Sequence, residues 1–353
     1  MKRPTITDIA QRAGVTKAAV SFALNGKPGI SAATRERILA IAEEIGFQPS
    51  SAARALTAGK AGVFGLVIDR PARTLGIEPF FMQLVSGIQA ELAAHQVMLQ
   101  FTMTEDTDAE IELYRQWWAQ RRVDGVFVVD LKVNDRRIEA IEKLRMPAVV
   151  IGTPRGAGSL PAIWQDDRAA VDIVVDYLAA QGHKRIARVG GHAAYWHSVL
   201  RKDAFEASSV VAGLTAFCVE ADYTAEHGAQ ATVSLLGSAQ PPTAIVYDND
   251  VMAAAGLAVA QRMGVSVPDG VTIISWDDSA LCELTHPALT ALRRDIAGVG
   301  STAARMLREL AAGGLPESVK EPAPVLQARM SSRYIGVPEI AATSRTTRSR
   351  MTA

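Results

Sequence analysis

Cysteine is nearly absent: Cys218 and Cys282 are the only two in 353 residues. They match neither a metal-ligand spacing nor a disulfide framework, so both are expected as buried thiols in a reducing cytoplasm. No apolar run approaches the roughly 18 residues that a membrane helix needs, so no membrane span is expected. Met1 to Gln11 is polar and basic, so no secretory signal is read there. Also missing are a nucleophile elbow, a metal-ligand set and a phosphate loop. Gly190-Gly191 is a weak echo of a phosphate loop, without its fingerprint. The adjacent carboxylates Asp166-Asp167 and Asp277-Asp278 do not form a catalytic pair, because neighbours on a strand point apart. The sequence reads as a non-enzyme with no cofactor and no metal.

Net charge is also missing, since 37 basic residues balance 37 acidic ones. The balance is uneven along the chain. Residues 1–60 hold nine lysines and arginines against four acidic residues, so the remainder carries the excess acid. A basic module on an acidic body points to nucleic acid as the partner of the module alone. The length suits two or three cores, and 48% hydrophobic with 21% charged residues is ordinary for a folded globular protein.

Residues 5–47 read as three short helices. Thr7 is taken as the cap of Asp8 to Ala13, which Gly14 ends. Thr16 caps Lys17 to about Asn25, and Ser31 caps Ala32 to Ile45. In the third helix Ile38, Ile41 and Ile45 form a buried stripe. Pro49 forbids continuation. The segment 50–60 is helix-prone but too short to hold a helix alone in water, so it reads as a hinge that orders only when braced. From Gly62 onward, apolar runs at 62–68, 97–101, 124–129, 147–152, 185–191, 243–247 and 271–276 alternate with helical patterns at 79–95, 167–181, 224–237 and 249–263. That alternation predicts parallel sheets with right-handed crossovers. The pattern occurs roughly twice, and 289–335 is expected to supply strands that cross back. The Ser/Thr/Arg-rich tail, 337–353, is expected to be disordered and carries no coiled-coil heptads.

Asp8-Ile9-Ala10, Ala13-Gly14-Val15-Thr16 and Val20-Ser21 form a helix-turn-helix constellation. Ala10 stays small at the helix crossing, and Ile9, Val15, Val20 and Leu24 fill a miniature core. The second helix then presents Lys17, Ala18, Ser21 and Phe22 to a major groove. Phe22 has two readings: apolar contact with a base edge such as a thymine methyl, or packing on a neighbouring helix. Thr5, Thr16, Ser21, Asn25, Ser31 and Thr34 suit phosphate contacts near helix starts, and each could equally be a local cap.

The segment from Thr5 to Leu56, with V-T-x-x-x-V-S, then L-N, then S-x-x-T-R, then G-F-x-P-S-x-x-A-x-x-L, resembles the LacI family of bacterial repressors. The resemblance implies an all-α helix-turn-helix headpiece (1–49), a hinge helix (50–60) and an α/β periplasmic-binding-protein-like (type I) effector domain (61–336). That domain would have two subdomains, about 61–161 with 291–320 and about 162–290 with 321–336. The resemblance further implies a homodimer on pseudo-palindromic double-stranded operator DNA. The hinges, carrying Ala53 and Leu56, would pair in the minor groove, with Leu56 wedging a central base step. Phe22 and Ala18 depart from the basic or polar residues of many relatives. Bidentate guanine reading from those positions is therefore excluded here.

The body carries matching stretches at Pro79-Phe80-Phe81, Val123-Asp124-Gly125, Gly182-His183-Lys184-Arg185, Asn249-Asp250, Trp276-Asp277-Asp278 and His286-Pro287. Ligands in such folds lie outside the carboxyl ends of the strands, which here end at Asp69, Asp130, Asn249 and Trp276-Asp277. The resemblance places Arg201, Asn249 and Asp277 at the effector's polar groups. Phe80, Phe81, Tyr223 and Trp276 supply apolar or aromatic walls, Asp130 a strand-end carboxylate, and Trp196 and His197 loop contacts. Structural alternatives are a helix cap at Asn249, a turn at Asp277 and a surface charge at Arg201. The leading expectation is a cytoplasmic repressor of sugar-utilisation genes, released by a sugar inducer. The alternative is a corepressor-dependent regulator sensing a nucleobase or another metabolite. Further readings are a transport-type sugar binder, opposed by the missing signal peptide and by the headpiece, and a non-specific nucleoid binder, which equal affinity for random and operator DNA would favour.

Overall fold

The computed structural model describes residues 4–47, 60–70 and 76–332. Ala53, Leu56 and the tail 337–353 lie outside the described residues. The chain divides into two compact units, one ending at Ala61 and the other beginning at Gly62.

The first unit holds α1 (Ile6–Ala13), α2 (Lys17–Leu24) and α3 (Ala32–Glu44). Thr5, not Thr7, caps α1. Its hydroxyl accepts from the Asp8 amide while the Asp8 carboxylate accepts from the Thr5 amide at 2.7 Å. That reciprocal pair satisfies two donors at the open end of the helix, which Thr7 could not do from inside the first turn. Gly14, at φ 61°, provides the left-handed turn into α2. Ile9, Val20 and Ile38 are wholly buried in the core, with Ala10, Ala13, Ala23 and Ala42 where the helices approach closely. Arg35 of α3 donates to the carbonyls of Ala23 at 3.3 Å and Lys27 at 2.6 Å, tying down the last turn of α2.

The second unit runs β1 (Val63–Ile68), α4 (Pro79–Ala94), β2 (Met98–Met103), α5 (Thr107–Ala119), β3 (Gly125–Val128), α6 (Arg136–Leu144), β4 (Ala148–Ile151) and β5 (Ala162–Trp164). It continues with α7 (Asp167–Ala180), β6 (Arg185–Gly190), α8 (Trp196–Val211), β7 (Thr215–Glu220), α9 (Ala225–Leu236), β8 (Ala244–Tyr247) and α10 (Asp250–Arg262). Last come β9 (Thr272–Ser275), α11 (Ala280–Leu284), β10 (Thr290–Arg293), α12 (Ile296–Ala311), β11 (Val319–Lys320) and β12 (Val325–Gln327). Two sheets result, ordered β11-β5-β4-β3-β1-β2 and β12-β10-β9-β8-β6-β7. All pairs are parallel except β10 with β12. Strands covered by helices on both faces read as continuous apolar runs. In β1, Leu66 and Ile68 face α4 and α12, while Val67 faces the layer of Tyr114 and Trp117.

The chain crosses between sheets three times, and two crossings differ from expectation. β5 belongs to the first sheet, so the first crossing follows Trp164 and not 161. β10 belongs to the second sheet, so the return follows Arg293 and not 290. Both strands are too short to show a period. Cys282 is buried, but Cys218 is only partly so, because it lies on the edge strand β7. Burial pushes the Cys218 thiol up to about 11 and the Cys282 thiol up to about 12. Among the described residues no helix is long and apolar enough to cross a membrane.

Helices α4 and α12 meet at two glycines. A Cβ at Gly87 would fall 1.8 Å from the Ala297 carbonyl oxygen, and one at Gly300 would fall 2.3 Å from that of Leu84. The obstacle is backbone, which cannot rotate aside. Gly87→Val is therefore expected to destabilise the fold by at least about 3 kcal/mol, the upper range for an overpacked core, read as a lower urea midpoint.

Candidate functional site

In the first unit, Lys17 and Ala18 are exposed at the start of α2, with Ser21 half-buried one turn later. Phe22 is 37% exposed and lies outside the core cluster, its ring against Gly29. An aromatic side chain on the outer face beside Ala18 forms an apolar step on an otherwise polar surface. The hydroxyls of Thr5, Thr16 and Ser31 all cap helices: Thr16 accepts from the Ala19 amide and Ser31 from that of Thr34, both at 3.2 Å. Asn25 donates to the Ser21 carbonyl at 2.8 Å. The caps of α2 and α3 are nonetheless exposed, so each hydroxyl can cap its helix and still face solvent.

In the second unit a cleft opens at the carboxyl ends of both sheets. Its wall includes Phe80, Phe81, Asp130, Trp196, Arg201, Tyr223 and Asp277. Tyr223, with a left-handed backbone at φ 69°, fixes its hydroxyl on His197 Nε2 at 2.6 Å and Ser198 Oγ at 2.9 Å. Asp130 also has a positive φ, 51°. Buried Arg137 holds that turn by donating to the carbonyls of Val129 at 3.0 Å and Asp130 at 2.9 Å. Trp196 lies under the Arg155 guanidinium at 4.4 Å. The two halves are stitched by backbone bonds, Val133 N–H to Ala194 O at 2.8 Å and Trp196 N–H to Leu131 O at 2.9 Å.

Two candidates do not reach the wall. Asn249 is fully buried and caps α10, accepting from the Met252 amide at 2.9 Å and donating to the Tyr223 carbonyl at 3.0 Å. Trp276 points into the core behind the wall, where Arg201 stacks on it at 4.3 Å. Asp69 pairs with Lys132 and is likewise outside the cleft. His197, named with Trp196 as a loop contact, does line the wall, whereas sequence reasoning missed Arg70, Glu78, Asp167, Asp248 and Arg294, all on it as well. Their signal was position alone, since Arg70 and Asp248 sit at strand ends and Glu78 directly precedes the helix-opening Pro79.

The electrostatics are tightly matched. Arg70 pairs with Asp130 at 2.8 Å and lies over the rings of Tyr223 at 4.5 Å and Tyr195 at 4.9 Å. Arg201 pairs with Asp167 at 2.8 Å, and Arg294 with Asp277. Arg188 grips Asp248 from behind the wall. Burial alone would raise the carboxyls of Asp130 and Asp248, but their arginines outweigh it and hold both below the usual range. Burial, aided by Arg201, pushes His197 down to about 4, so it is neutral at pH 7. Among the described residues no group of three or more His, Cys, Asp or Glu is placed to hold a metal ion.

With that geometry in hand, residues 5–50 match the model for bacterial regulatory proteins of the lacI family. Residues 175–332 match the periplasmic binding protein-like domain. The HTH-type transcriptional regulator MalR of Streptomyces coelicolor is 30% identical over 323 residues, covering 88% of this chain and 91% of the relative. The chain belongs to the lacI family. Among solved structures, a LacI family transcriptional regulator from Bifidobacterium animalis subsp. lactis DSM 10140 is similar at TM-score 0.72 and 37% identity, covering 77% of this chain and 98% of that one. The transcriptional regulator CelR–cellobiose complex is similar at TM-score 0.72 and 26% identity, covering 94% and 100%. The headpiece and the two-sheet body are thus those of a LacI-type DNA-binding transcription regulator.

Asp248 compensates Arg188 and, at 3.9 Å, Arg201. Asp248→Asn leaves buried guanidinium charge uncompensated and should cost about 3–5 kcal/mol near neutral pH. A carboxyl with a depressed folded pKa contributes stability above its unfolded value and loses it as pH falls through the folded value. The gap between wild type and variant should therefore be full at neutral pH and close in acid, as followed by urea denaturation across pH.

Proposed function

We propose that this chain is a homodimeric repressor of sugar-utilisation genes that leaves its operator when a sugar enters the cleft. The observation that carries the effector class is a wall on which half-buried Phe80, Trp164 and Trp196 stand with Arg201, Asp130 and Asp277. An aromatic face suits the C–H surface of a sugar ring, and carboxylates with guanidiniums suit its hydroxyls. The similar CelR structure, which holds cellobiose, supports the same class. The protein acts in the bacterial cytoplasm and performs no catalysis. In the headpiece, α2 reads the major groove through Lys17, Ala18, Ser21 and Phe22. Thr5, Thr16, Asn25, Ser31 and Thr34 set register on phosphates, and Ala53 and Leu56 serve the hinge. The effector shifts DNA affinity by its differential affinity for the two states, and by no more.

An operator found by unbiased oligonucleotide selection, then titrated with maltose or cellobiose in a gel shift at fixed salt, tests the reading. Loss of the shifted band supports induction, gain supports corepression, and selection of no sequence overturns the proposal. Leu56→Ala should leave sugar binding intact and weaken specific DNA binding by about tenfold or more, as expected from losing a minor-groove wedge. Unchanged operator affinity would contradict the wedge. For Asp277→Ala, the expected outcome is normal operator binding with no sugar response. A wild-type dose-response would remove Asp277 from the site.

A further inference from the structure

All but one of the carboxylates on the cleft wall have an arginine of their own. Asp130 has Arg70, Asp167 has Arg201, Asp248 has Arg188 and Asp277 has Arg294. Glu78 is the exception: among the described residues no lysine or arginine nitrogen lies within 4.0 Å of it. It is 6% exposed. It precedes Pro79 at the start of α4 without capping the helix. Its Oε1 accepts from Asn249 Nδ2 at 3.5 Å, at the limit of a hydrogen bond, and its Oε2 has no partner.

The groups facing Glu78 come from every element around it. Arg70, at the end of β1, attracts it, but that guanidinium is committed to Asp130. Asp130 beyond β3 and Asp277 beyond β9 repel it. Arg294 is committed to Asp277, His197 is neutral, and Asn249 gives its stronger hydrogen bond to the Tyr223 carbonyl. A buried carboxylate oxygen without a partner is costly. With Trp196 Nε1 and Arg294 Nε it is one of three unpartnered polar atoms among the described wall residues, and the only acceptor of the three, to which a ligand can donate.

We propose that Glu78 is an effector-binding residue whose carboxylate accepts hydroxyls of an uncharged polyhydroxyl ligand, with loss of its own proton to solvent on binding. The inference rests on the sugar reading of the cleft and narrows it. An anionic ligand, such as a sugar phosphate or an aldonate, would set a further negative charge beside the surplus one. Burial, with Asp130 and Asp277 reinforcing it against Arg70, pushes Glu78 up to about 7. The carboxyl is therefore mostly protonated one unit below that value and mostly ionised one unit above. A ligand that prefers the ionised form binds more tightly as pH rises, by nearly tenfold per unit well below pH ~7 and with a plateau above pH ~8.

The test uses the full chain in calorimetry with maltose, cellobiose, glucose 6-phosphate and gluconate. Each is run in two buffers of different ionisation enthalpy, at about pH 6 and about pH 8.5. Expected for a neutral sugar is release approaching one proton per site at the lower pH and none at the higher. Glu78→Gln should abolish the release, flatten the pH profile and weaken binding about 10- to 100-fold at the higher pH, as befits loss of a charged acceptor. A neutral sugar that binds without proton release, and equally to wild type and Glu78→Gln, overturns the proposal. So does tight binding of an anion in place of the sugars. Binding of none of the four overturns the sugar reading beneath it. A ligand-free readout is the infrared band of a protonated carboxyl near pH 6. Asp250, pushed up to about 6 by burial, and the raised Glu110 absorb there too. The wild-type-minus-Glu78→Gln difference should therefore retain a band belonging to Glu78, and a difference spectrum without it overturns the proposal.

Discussion

The constraint on which the cleft depends is the pairing of every wall carboxylate but Glu78 with an arginine at the ends of two mostly parallel sheets. Unpaired, such charges are strongly unfavourable away from water; paired, they form a rigid polar lining. The pairs draw their members from strands, helices and the turns directly after strands, which are placed more precisely than long loops. Arg70 adds a second function, since its guanidinium also lies over the rings of Tyr195 and Tyr223, contributed by the other half of the unit. The same group thus orders the charges of one sheet and the ring faces beside the other.

In the body, four helices, α4, α7, α9 and α10, were legible from their periodicity, as were the central strands whose apolar runs are buried on both faces. The equally long α8 and α12 were not named, and 289–335 was read only as a source of strands. The strands β5, β7 and β10 to β12 were not resolved individually. Most are only two to four residues long, and β7 is an edge strand of mixed polarity. The site was legible as a set of strand ends, and eight of its ten cleft candidates line the wall. Asn249 illustrates the limit. A residue after a strand and before a helix satisfies the pattern of a ligand contact and of a cap equally well. Trp276 illustrates another, because one step along a strand reverses which face a side chain takes.

The missed residues share a cause. Arg70 with Asp130 and Arg188 with Asp248 are each sixty residues apart in sequence. Their partnership is a property of sheet order, and no local spacing encodes it. Glu78 is still less visible, since what sets it apart is a lack of partner among neighbours that only the fold brings together. In the headpiece the information is local. A capping box, a left-handed glycine and a latch from Arg35 suffice to fix the outer face of α2, and all three lie within a stretch of some forty residues.

The three passages of the chain between the sheets bear on how the protein is made. Neither half is finished by a continuous piece of chain. The first sheet awaits α12 and β11, and the second awaits β10 and β12, all beyond residue 289. A chain emerging from the ribosome therefore carries two incomplete sheets with open edges until nearly its end. Its helix-turn-helix can fold long before the body that governs it.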